Sequence, residues 1–79
     1  MRNDIKEKLI AYYKLELNYT KVGLEKETDP IRRSDICWYA VQRCLGAGQF
    51  AESMGLPYEI MEMLFESVKI NLQELEIGA

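Results

Sequence analysis

The chain has 79 residues, 48% of them hydrophobic and 29% charged, with a formal net charge of −3 at pH 7. This is globular composition, too rich in apolar residues for disorder, and a length that buries only about 60% of the unfolded surface, so that self-association is a common remedy for a marginal core. The absence of His removes the commonest general base and metal ligand, and the acidic balance opposes nucleic-acid affinity.

No apolar run approaches the roughly 18 residues that span a bilayer, and Met1-Arg2-Asn3-Asp4 leads into a charged stretch rather than an apolar signal core. With two Cys and no framework of spacings, a reducing cytoplasmic setting and no membrane are expected. Charge is divided along the chain. Residues 1–43 hold nine basic and seven acidic residues, or +2, whereas residues 44–79 hold six acids and Lys69, or −5. Opposite charges on neighbouring helices or subunits would aid solubility and register.

Asn3 or Asp4 is positioned to cap a first helix over residues 3–24, with apolar positions Ile5, Leu9, Ile10, Tyr12, Tyr13, Leu17, Tyr19 and Leu24 covering a broad half of the wheel. Ala11, Leu15 and Val22 form a thin opposite stripe, either a subunit contact or, the reading preferred, scattered surface apolars. Gly23 and the polar run up to Pro30 end this helix between Val22 and Lys26.

Asp29-Pro30 starts the second, central helix, over residues 30–54, with Ser34 as a competing cap. It contains the only Trp and both Cys. Cys37, Ala40, Cys44, Ala47, Gly48, Ala51 and Gly55 fall within about a quarter-turn and form a smooth packing groove, bordered by Ile36, Phe50 and Met54 on one side and Trp38, Val41 and Leu45 on the other. Gly46-Ala47-Gly48 weakens the helix by roughly 2 kcal/mol relative to Ala, but the small arc stays in phase across it, so a continuous helix is expected. Cys37 and Cys44, about 10 Å apart along the axis, are too distant to bond within one helix and read as small core residues. Arg32 and Arg33 lie near the start of this helix, where its dipole disfavours them; with Arg43 they are candidate anion contacts.

Gly55-Leu56-Pro57 closes the central helix with a left-handed cap and opens a last helix over 57–76. Ile60, Met61, Leu64, Phe65, Val68, Leu72 and Leu75 share its main face. Met63, Ile70 and Ile77 form a separate heptad-spaced line that needs a partner, either helix 1 or a second subunit. Glu59, Glu62 and Glu66 lie opposite the apolar face, a solvated set rather than a metal or acid–base site.

Phe50 to Leu64, with Ala51 in the first helix, Gly55 at the turn and Leu56 just after it, resembles a helix-turn-helix unit. That resemblance implies a nucleic-acid reader, yet the would-be reading helix exposes Glu59, Glu62 and Glu66 and has no Arg, Lys, Asn or Gln on its first two turns. The expected protein is therefore an all-α single domain over 1–79, a small antiparallel three-helix bundle with a long central helix that dimerises. Its expected function is non-enzymatic, with no metal or cofactor: a protein-interaction or assembly module using Trp38, Tyr39, Phe50, Met63, Ile70 and Ile77, its partner a second copy or another protein. The alternative is a small helix-turn-helix-like regulator contacting nucleic acid through Arg32, Arg33 and Arg43.

Overall fold

The computed structural model describes residues 2–78 and the side chains of 4–78. Three helices pack against each other: α1 (Arg2–Lys26), α2 (Pro30–Ser53) and α3 (Tyr58–Gly78). There is no strand among the described residues. At 24 residues α2 is no longer than α1, with 25, and all three helices pack against both others, so the long central helix expected from the sequence is not evident.

Local chemistry sets the helix ends. Asp29 has extended backbone (φ −73°, ψ 119°) and its carboxylate accepts from the Ile31 N–H at 3.0 Å, while Pro30 occupies the first turn. Ser34 is left inside the helix. At the other end the Leu56 N–H donates to Ala51 O at 3.0 Å and the Gly55 N–H to Glu52 O at 3.0 Å, with Gly55 at φ +111°. This Schellman arrangement folds Leu56 back into the core, where it is buried. It also takes Gly55 out of the helix, so Gly55 does not belong to the small-residue arc. α1 begins at Arg2, which puts Asp4 inside the first turn, where its charge suits the dipole, rather than at a cap. The alternative cap, Asn3, has its side chain outside the described residues.

α2 runs unbroken through Gly46-Ala47-Gly48. Cys37, Ala40, Cys44, Gly48 and Ala51 are buried on one line, with Ala47 half-buried at its edge. The absence of a side chain at Gly48 is what lets two neighbours close in. A Cβ there would lie 2.8 Å from Tyr13 Oη and 3.0 Å from Met61 Sδ. The Tyr13 hydroxyl, buried in this position, donates to Cys44 O at 3.1 Å, and burial pushes its pKa up to about 12. The core around this contact is Leu9, Tyr13, Ala40, Cys44, Ala51, Leu56, Met61, Val68 and Leu72.

One residue ties all three helices together at one end of the molecule. Arg33 donates through Nη1 to Leu24 O (2.6 Å) and Glu27 O (3.0 Å) and through Nη2 to Glu76 O (2.9 Å). It lies in the first turns of α2, where its charge is disfavoured, but against the C-terminal ends of α1 and α3, whose carbonyls and dipoles favour it.

Candidate interaction site

The buried line of α1 runs Leu9, Tyr13, Glu16, Thr20, Leu24, with steps of four, three, four and four residues that keep one helical face. Two polar residues thus occupy core positions, and Tyr19, expected among the apolar half, is displaced to the flank and is 78% exposed. Sequence reading passed over Glu16 and Thr20 because it selected positions by side-chain apolarity. Their in-phase spacing with Tyr13 and Leu24 was the available signal.

Glu16 is only 6% exposed, and its charge is met on three sides. Arg43 of α2 grips the carboxylate with both forks, Nε to Oε2 at 2.8 Å and Nη2 to Oε1 at 2.9 Å, and the Tyr12 hydroxyl donates to Oε2 at 2.5 Å. Burial alone would raise the Glu16 pKa; the hydrogen bonds from Arg43 and Tyr12, with the Arg43 charge, outweigh it and hold the group below the usual carboxylate range. Its hydrogen bond to Glu16 holds the Tyr12 hydroxyl up at about 12, and the separate hydrogen bonding of Arg43 to Glu16 raises the guanidinium further. The outer side of Arg43 stays open, its side chain 51% exposed. Beside the pair, Thr20 Oγ1 is buried without a hydrogen-bond partner.

Two shallow grooves between α1 and α2 flank this cluster, each of about 340 Å³. One is lined by Glu16, Tyr19, Thr20, Ile36 and Arg43. The other is lined by Ile5, Lys8, Leu9, Tyr12, Ala47, Phe50, Ala51 and Met54. Around them lie exposed large apolar side chains. Leu15, Tyr19 and Val22 follow one line on α1 (i, i+4, i+7), and Tyr39, Phe50 and Met54 follow the line through Arg43 on α2 (i, i+11, i+15, with Arg43 at i+4). Leu15 and Val22 are exposed and share their helical line with Tyr19, which lines the first groove.

The six residues expected to form an interaction surface, Trp38, Tyr39, Phe50, Met63, Ile70 and Ile77, are all exposed, but they do not form one patch. Tyr39 and Phe50 border the α1–α2 face. Trp38 meets Tyr39 edge-on, with ring centroids 5.1 Å apart at 80°, on the outer side of α2. Met63, Ile70 and Ile77 follow a heptad line on the outer side of α3, and Ile77, 89% exposed, shows that helix 1 does not cover that line. Glu59, Glu62 and Glu66 of α3 are exposed as well, Glu62 accepting from the Tyr58 hydroxyl at 2.7 Å and Glu66 lying 3.5 Å from Lys69 Nζ.

Of the three candidate anion contacts, Arg32 is exposed and lies 3.9 Å from Asp29 Oδ2, Arg33 is committed to main-chain carbonyls, and Arg43 to Glu16. Cys37 and Cys44 are buried free thiols, Cys37 donating to Leu72 O at 3.6 Å. Among the described residues no group of three or more His, Cys, Asp or Glu is placed to hold a metal ion, and no helix is long and apolar enough to cross a membrane. In comparisons with protein-family models, curated proteins and solved structures, nothing matched this chain.

Proposed function

We propose that the protein is a non-enzymatic interaction module, an antiparallel three-helix bundle that works in the cytoplasm and self-associates through apolar helix faces. The observation that carries this reading is the surplus of exposed surface. The chain presents 5494 Å² to solvent, against about 4900 Å² expected for a compact monomer of its 9.2 kDa mass. Much of that surface is large apolar side chain, from Leu15 and Tyr19 on α1 through Tyr39 and Phe50 on α2 to Met63 and Ile70 on α3. Extended apolar faces of this kind mark association surfaces on small domains. The Cα trace, 42 Å long and 15 Å wide in both other directions, supports the same reading, because a rod offers a long side for lateral contact. The Arg33 hydrogen bonds to Leu24 O, Glu27 O and Glu76 O weigh against the nucleic-acid alternative, in which that guanidinium would have to meet phosphates.

Sedimentation equilibrium from about 1 to 100 μM tests the proposal, an interval that covers ordinary homodimer affinities. A mass that rises from monomer to dimer is expected; a strict monomer over the whole interval overturns it.

A further inference from the structure

We infer that the α1–α2 face, centred on the Glu16–Arg43 pair, is the surface on which a second copy of this chain docks, with the same face of each copy opposed across a twofold axis. The inference rests on the self-association reading above and goes further by choosing between two exposed apolar faces.

Area is the first argument. Leu15, Tyr19, Val22, Tyr39, Phe50 and Met54 are each half exposed or more. With ~150–250 Å² for a whole aromatic side chain and somewhat less for an aliphatic one, the six present on the order of 600–700 Å², most of the ~800 Å² that one partner contributes to a standard interface. Chemical composition is the second. Tyr, Phe, Met and Arg are the residues enriched at interface centres, and Lys and Glu are depleted there.

Charge separates this face from the other. At its centre the one carboxylate, Glu16, is neutralised within its own chain by Arg43, so two copies can be opposed there without bringing unpaired carboxylates together. On the outer line of α3, Glu59 and Glu66 alternate with Met63 and Ile70 at helical spacing (i, i+4, i+7, i+11); Glu66 lies 3.5 Å from Lys69 Nζ, so it is the exposed Glu59 carboxylates that two opposed copies would bring together. Arg43 completes the argument. It spends Nε and Nη2 on Glu16 and keeps its outer side in solvent, so it can donate to acceptors of the opposed copy while remaining paired at home.

The test compares dimer dissociation constants by sedimentation equilibrium for Tyr19→Glu and Phe50→Glu on the proposed face and Ile70→Glu on α3. All three positions are exposed, and far-UV circular dichroism verifies folding; Tyr19→Ser and Phe50→Ser replace any variant that fails to fold. Expected is a dissociation constant at least tenfold weaker for both variants on the α1–α2 face and within twofold of the parent for Ile70→Glu. If Ile70→Glu weakens the dimer and the other two do not, self-association stands but the face is wrong. If both sets weaken association and the parent forms species heavier than a dimer, the α1–α2 face docks on α3 of the next copy, and the twofold arrangement is overturned. A parent that stays monomeric removes both this inference and the reading beneath it.

Discussion

Replacing Gly48 by Ala adds one methyl group to the most crowded point of the bundle. The new Cβ would stand 2.8 Å from Tyr13 Oη, 3.0 Å from Met61 Sδ and 3.1 Å from Met61 Cγ. Met61 can shift its flexible thioether, but the Tyr13 hydroxyl is held by Cys44 O and enclosed by the core, so retreat would stretch that bond. Overpacking of this kind costs about 1–3 kcal/mol, and weakening the hydrogen bond adds about 1 kcal/mol, against which Ala returns about 1 kcal/mol of helix propensity. The net expectation is a loss of about 1–3 kcal/mol. Gly46, two residues away on the same helix, has nothing within 4 Å of its would-be Cβ, so Gly46→Ala should return only the propensity gain, about 0.5–1 kcal/mol of added stability. Thermal unfolding followed by circular dichroism at one fixed protein concentration reads both, at about 4–8 °C per kcal/mol for a domain of this size. Gly48→Ala should lower Tm and Gly46→Ala should raise it. Equal stabilisation by the two would refute the close approach of Tyr13 and Met61 to α2.

Three further outcomes follow from the polar groups. Because the folded-state pKa of Glu16 is depressed, its contribution is fully present above the unfolded value, near 4.3, and is lost as pH falls through the folded value; urea unfolding from pH 7 to pH 2.5 should show stability flat above about pH 5 and falling below it, a fall that Glu16→Gln should lessen. Glu16→Gln should itself destabilise at pH 7 by about 1–3 kcal/mol, since Gln cannot serve both forks of Arg43 as an anion. Thr20→Val, a nearly isosteric change that removes a buried hydroxyl without a partner, should stabilise by about 1 kcal/mol, visible as a higher Tm. Arg33→Lys should destabilise by about 1–2 kcal/mol in the same assay despite keeping the charge, because one ammonium lacks the planar fork that reaches carbonyls of both α1 and α3.

Features governed by neighbours in the chain were legible before the structure. Asp29-Pro30 and Gly55-Leu56-Pro57 act on amides and carbonyls within a few residues of themselves, so their chemistry is complete in the sequence. The small-residue arc of α2 was legible for a related reason, since a close neighbour on one side requires small side chains at helical spacing. Glu16, Thr20 and Arg33 were not legible. The carboxylate is kept in the core by Arg43, 27 positions away, and the Arg33 bond to Glu76 O spans 43 positions. Arg33 looked electrostatically misplaced because only the dipole of its own helix could be inferred; the C-terminal carbonyls of two other helices decide the balance. The surface residues divide in the same way. Exposure of Trp38, Met63 and Ile70 could be anticipated from their phase, but joining Tyr39 and Phe50 with Leu15 and Val22 into one face required knowing which flank of α1 lies beside α2.

The two sealed thiols give the molecule an internal clock. Cys44 is fully buried, its carbonyl accepting from the Tyr13 hydroxyl, and desolvation pushes its pKa up to about 12; Cys37, also raised by burial, lies against Leu72 of α3. In the closed molecule neither sulfur is a competent nucleophile, so alkylation can proceed only through openings that wet the sulfur. The labelling rate of each Cys therefore counts separate events, Cys37 the parting of α2 from α3 and Cys44 the parting of α2 from Tyr13. Their ratio under native conditions would show whether the helices leave one at a time or all together.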